Sequence, residues 1–233
     1  MTTPADAGVH YETLRRNTLI ATPIALLVPV AFALVLMGLG ADLAWSALGF
    51  GALGWFGALM LRGPLAAVLS QTMRDQDRVK TIIVASSGPI EEGVRLLLLL
   101  LVGRGFSDAA AIGIGWAAIE VVYTTVTGFI TLSLLRRTDP EAMQARQILE
   151  AQGMIRETGP WLGIVERIGA TALHIGFTFI VAWSLWAAIG TAILHSAANL
   201  TLIRSFKRNP VATELALLVA GLAVFAVGVA LVR

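Results

Sequence analysis

Cysteine is absent from the chain, which excludes disulfides, thiolate metal centres and cysteine nucleophiles. Charge is scarce: only 14% of the 233 residues are Asp, Glu, Lys or Arg, against roughly 25% in an ordinary soluble domain. No Lys/Arg run interleaved with aromatics is present, so nucleic acid is not an expected partner. Two hydrolase signatures are also missing. There is no H-E-x-x-H and no G-x-S-x-G nucleophile elbow; the nearest approach, Ala85-Ser86-Ser87-Gly88, lacks the first glycine. Nothing marks a repeat, a low-complexity segment or a second domain, so residues 1–233 read as a single integral membrane domain.

What abounds is apolar sequence, 57% hydrophobic residues and a mean hydropathy of +0.79. About 20 apolar residues cross a bilayer as a helix, and about seven stretches meet that requirement: 18–38, 43–62, 81–102, 108–135, 161–183, 186–204 and 211–232. The expected fold class is therefore all-α, a polytopic transmembrane helix bundle. The polar start, with Glu12, Arg15 and Arg16, leads into apolar sequence without an A-x-A site, which reads as an uncleaved first span. Residues 161–204 are almost continuously apolar. As one helix they would reach roughly 66 Å, far beyond one bilayer, so they are predicted to fold back at Trp183-Ser184-Leu185-Trp186, Trp favouring the interface.

Basic residues alternate with the spans. Arg15 and Arg16, then Arg62, Arg74, Arg78 and Lys80, then Arg136, Arg137, Arg146 and Arg156, then Arg204, Lys207 and Arg208 fall on one side; Arg104 and Arg233 fall on the other. The positive-inside rule makes the N-terminus cytoplasmic and the C-terminus external. The expected location is a bacterial cytoplasmic (inner) membrane. Thr138-Asp139-Pro140-Glu141 supplies an N-cap with proline at the first helical position, and Gly153 a stop, giving an amphipathic cytoplasmic linker helix over about 140–152.

Ionisable side chains at bilayer depth are costly and mark functional sites. Here they are Glu91 and Glu92 in the third span, Glu120 in the fourth, Glu166 and His174 in the fifth, and His195 in the sixth. Equal spacing from the Trp183–Trp186 turn puts His174 and His195 about 13 Å from the outer end, while Glu91 is about 15 Å and Glu120 about 18 Å deep at ~1.5 Å per residue. All four are predicted to share one middle layer. Arg95 follows Glu91 at i+4 and Glu92 at i+3, so it can hold or neutralise either. Glu91 and Glu92 point about 100° apart and are not expected to aim at one ligand. Gly88-Pro89 should kink the third span and free a carbonyl. His195 and Asn199 share a face. Ala109, Gly113 and Ala117 form a packing stripe beside Trp116, and Glu166-Arg167 reads as an interfacial pair. Two mechanisms suit the set. Glu120, His174 and His195, with Glu91, could ligate Zn²⁺ or another divalent metal and leave a position for water. Alternatively Glu91 is a general base on water, with His and Asn stabilising an oxyanion.

In order, these residues resemble the CPBP superfamily of intramembrane proteases, which includes the type II CAAX prenyl endopeptidases and PrsW. Glu91-Glu92-x-x-Arg95 is similar to its paired-glutamate motif, Trp116-x-x-x-Glu120 to its second motif and His195-x-x-x-Asn199 to its last. His174-x-x-Phe177 resembles the PrsW element, and the ERIGATALHIGFT segment most resembles the YhfC group of membrane peptidases. The likeness covers about residues 85–204, within a motif-bearing core of about 81–204. The CAAX enzymes differ, with E-E-x-x-x-R and a histidine where this chain has Glu120, so prenylated substrates are not implied. The resemblance implies an intramembrane endopeptidase acting on a membrane-associated peptide, with Glu91, Glu92, Arg95 and Asn199 catalytic. The alternatives are a non-catalytic scaffold or helper subunit, since one relative of the superfamily is a scaffold that cuts nothing, and a proton-coupled transporter, for which the required inverted repeat is not evident.

Overall fold

The computed structural model describes residues 4–151, 159–206 and 208–233. Among the described residues the chain is helical throughout, in the order α1 (Pro4–Gly38), α2 (Trp45–Thr72), α3 (Gln76–Ala85), α4 (Ser87–Val102), α5 (Phe106–Arg136), α6 (Pro140–Ala151), α7 (Pro160–Trp183), α8 (Ala187–Phe206) and α9 (Pro210–Val232). Five helices are long and apolar enough to cross a membrane: Tyr11–Gly38 of α1, then α2, α5, α7 and α9. Their outer faces carry large apolar side chains such as Leu27, Leu53, Ile130 and Val219, all more than half exposed.

α7 is the central element, most of its residues from Gly169 to Ala182 being buried. It packs against α9, α5 and α1. The α7–α9 contact is backbone to backbone at glycines: a Cβ on Gly221 would lie 2.2 Å from the Gly169 carbonyl oxygen, and one on Gly228 would lie 2.7 Å from that of Gly176. Seven residues separate the glycines on each helix, two turns of one face, so small residues there let the helices approach closely. Gly113 of the small-residue stripe faces α7 in the same way, its Cβ position 3.0 Å from Ile175 Cα.

Three local features place the polar residues. α7 ends at Trp183 and α8 begins at Ala187, the fold-back expected from the tryptophans. Arg104 closes that end of the bundle, its guanidinium donating to the Ala182 and Trp183 carbonyls at 2.7–3.2 Å, which α7 leaves unpaired at its last turn. The stretch 81–102 is interrupted at Ser86, between α3 and α4 and three residues before the proline at which a kink is expected. Pro89 has no N–H to bond the Ala85 carbonyl, and Ser196 of α8 donates its hydroxyl to that oxygen instead, at 2.7 Å. Gly88 permits the approach, since a Cβ there would fall 2.1 Å from the Ala192 carbonyl oxygen. α8 is thereby fastened to α4, the helix it packs against most.

α2 also differs from its expected bounds of 43–62, continuing to Thr72 and carrying Arg62 inside the bundle instead of in a loop. The linker helix forms, with Asp139 as N-cap accepting from the Ala142 N–H at 3.0 Å and Pro140 following. The Gly153 stop, and Arg156 and Lys207 of the charge pattern, lie outside the described residues.

Candidate active site

Glu91, Glu92 and Arg95 project from consecutive faces of α4 and are buried, as are His174 on α7 and His195 on α8. The two imidazole centroids are 5.3 Å apart, so four helices bring the predicted polar layer into direct contact. Glu92 is the hub. It pairs with Arg95, accepts from the Thr191 hydroxyl at 3.1 Å and meets His195 Nδ1 at 2.9 Å. A carboxylate accepts only, so His195 Nδ1 donates to Glu92 and leaves Nε2 as the ring's second nitrogen. That nitrogen faces Glu91 Oε2 at 3.7 Å. The two neighbouring glutamates thus embrace one ring from its two nitrogen edges, a convergence that their 100° divergence argued against. Phe177 flanks the same ring at 5.8 Å.

Arg95 takes Glu92 as its carboxylate partner, one of the two placements its spacing allowed, and not Glu91. Its second terminal nitrogen lies 3.1 Å from His174 Nδ1, and its guanidinium stacks over Trp116 at 4.6 Å. Arginine has no lone pair to offer, so His174 Nδ1 accepts and Nε2 holds the proton. Nε2 sits 2.6 Å from Glu120 Oε2, although that oxygen has no well-aligned hydrogen-bond partner. Glu120 in turn meets Arg167 at 3.1 Å, and Arg167 also pairs with Glu166. The Glu166–Arg167 pair is therefore continuous with the interior and not merely interfacial.

Arg62 is the residue that sequence reasoning missed. It reaches Glu91 Oε1 at 2.9 Å with a fifth of its side chain exposed. The signal was the apolar run Leu65–Leu69 beyond it, which extends the helix past the nominal span. Glu91 Oε2 is left without a hydrogen-bond partner although it is buried, and an unpaired buried carboxylate oxygen is expensive. Asn199 stands apart from the cluster. Its amide donates to Ser87 Oγ at 2.8 Å, bracing α8 against α4 one turn from His195.

A metal is a natural test of such a donor set. One ligand atom each from Glu91, His174 and His195 lie within 4.8 Å of one another. Of these, Glu91 Oε2 and His195 Nε2 are open. His174 Nδ1 is taken by the Arg95 guanidinium, and its Nε2 lies 2.6 Å from Glu120 Oε2 without an aligned hydrogen bond. Three protein ligands is the number a catalytic zinc site uses, and Glu120 of the expected ligand set is not among these three.

Nothing among protein-family models, curated proteins or solved structures matches this chain. The functional reading therefore rests on the chemistry of the site.

Proposed function

We propose that this chain is an intramembrane endopeptidase, hydrolysing a peptide bond of a membrane-associated substrate with water activated by Glu91 and His195. The observation that carries the reading is the open pair Glu91 Oε2 and His195 Nε2, buried and 3.7 Å apart. That gap is too long for a direct hydrogen bond and suits one bridging water. A base must lie within hydrogen-bond reach of the proton it removes. In the proposed reaction Glu91 takes a proton from the water as its oxygen attacks the scissile carbonyl carbon, and delivers that proton to the leaving amine as the C–N bond breaks. Glu92 fixes the orientation and tautomer of His195, in the way a carboxylate orients a catalytic imidazole. Arg62 holds the Glu91 carboxylate. Arg95 holds Glu92 and His174.

The bilayer setting of the proposal is seven spans, counting α4 with α3 and α8 beside the five long helices, with the N-terminus cytoplasmic in a bacterial inner membrane. Arg74, Arg78, Lys80, Arg136, Arg137, Arg204 and Arg208, which fall on one side of the spans by sequence, support that orientation; Trp183 and Trp186 mark an interface at the α7–α8 turn. The motif resemblance to the CPBP superfamily and its YhfC group adds to the reading. A survey of new membrane-protein N-termini in a strain lacking the protein, complemented with the parent chain or with Glu91→Gln, tests it. Cleavages found only with the parent support the enzyme and name its substrate; identical profiles from equally expressed proteins contradict it.

One observation favours a second reading, a non-catalytic scaffold. The run Glu92–Arg95–His174–Glu120–Arg167–Glu166 leaves few donors idle, as a network that locks helices together would. The scaffold predicts that Glu91→Gln leaves the cell phenotype intact while bulky substitutions at the α7–α9 glycines abolish it.

A further inference from the structure

Away from the Glu91–His195 cluster, two hollows meet at the end of α8. One is an apolar groove of about 660 Å³ between α7, α8 and α9, floored by Leu173, Leu202, Leu217 and Val224 and reaching Phe177 at its inner end. The other is a pocket of about 470 Å³ between α3 and α8, carrying Lys80, Arg204 and Arg208 against the single carboxylate of Asp77. Ser205 and Arg208 line both. A basic recess and an apolar channel thus share a rim.

We propose that this pair of hollows is a binding site for one anionic phospholipid, its phosphate in the Lys80–Arg204–Arg208 recess and an acyl chain in the groove along α9. The charge balance of the recess selects an anionic head, because basic residues at a membrane surface attract anionic lipid. The length of the groove selects a lipid over a helix. From Asn209 to Val224 the lining follows α9 for about 22 Å at ~1.5 Å per residue. One leaflet with its headgroup layer is about 20–22 Å thick, whereas a spanning helix needs the full ~30 Å of hydrocarbon. The inner end of the chain would rest on Phe177, the ring next to His195. The proposal needs the chain to lie in a bilayer, but not that it cleaves anything.

The test is native mass spectrometry of the purified full-length protein in detergent, titrated with palmitoyl-oleoyl phosphatidylglycerol or with the phosphatidylcholine of the same chains. Each surface cation strengthens anionic-lipid attraction about fivefold, so the glycerol lipid binds at least about fivefold more tightly. R204Q/R208Q removes that preference, and Ala216→Phe, placed in the groove wall, weakens both lipids while the lipid-free melting temperature holds. Equal affinity of the parent for the two lipids overturns the proposal, as does a preference that survives R204Q/R208Q. Displacement of the bound lipid by inorganic phosphate at equal concentration would show a free-anion pocket. Displacement by an apolar helical peptide would show a peptide groove. Either result overturns the lipid assignment.

Discussion

At the scale of the residue, Glu91 and Glu92 divide the labour between them although they are neighbours in sequence. Glu92 is saturated by Arg95, Thr191 and His195, which suits it to positioning His195. Glu91 has one oxygen on Arg62 and one left open. The difference predicts distinct phenotypes. Arg95→Leu should destabilise the protein by about 3–5 kcal/mol, because the buried Glu92 charge loses its partner; thermal melting in detergent measures it. Arg62→Gln should also lower the melting temperature, since the buried Glu91 loses its arginine, but by less than Arg95→Leu because Arg62 is partly exposed. It should lower the cleavage rate roughly 10- to 100-fold through loss of positioning, and Arg62→Lys should restore part of that rate. An Arg62→Gln variant cutting at the parental rate would remove Arg62 from the site.

At the scale of the element, α8 is fastened to the chain at the Ser86 break between α3 and α4. The carbonyl that Pro89 leaves unpaired is answered by Ser196 alone among the described contacts, so Ser196→Ala should cost about 1 kcal/mol for loss of this half-buried hydrogen bond. Gly88→Val should cost more, since its Cβ would collide with the Ala192 carbonyl and push His195 away from Glu92. Chemical denaturation of the two variants, ranked against the parent, checks the order. Much of this arrangement was legible beforehand. Apolar runs and tryptophans give the helices and the α7–α8 turn, because burial in lipid leaves a composition signal wherever it occurs. Counting residues from the turns brings Glu91, Glu120, His174 and His195 to one depth, because rise per residue is nearly constant. Rotation about each helix axis was not legible, and it decides partners: Arg95 turns to Glu92, Asn199 to Ser87, and Arg62 enters from a helix that was expected to have ended.

At the scale of the whole molecule, the site depends on α7 being gripped from behind. The Gly169–Gly221 and Gly176–Gly228 approaches press α7 against α9 and present His174 on the opposite side to α4 and α5. Gly221→Leu should force these helices apart and lower stability by about 1–3 kcal/mol through overpacking; loss of cleavage in parallel with loss of melting temperature would show the coupling. The polar network has the reverse logic. Its carboxylates and guanidiniums nearly balance, so the charge is tolerable in a low-dielectric interior only while the helices stay together.

The measurement that bears most directly on the central claim sets cleavage beside folding for the open pair. Glu91→Gln, His195→Gln and the double variant would each be assayed on the substrate found in the N-terminal survey, and each melted in the same detergent. An activated water shared by the two side chains predicts that either substitution abolishes cleavage, that the double variant is no worse than the singles, and that Glu91→Gln melts like the parent. Cleavage persisting in Glu91→Gln, or activity lost only in step with melting temperature across all three, would contradict it.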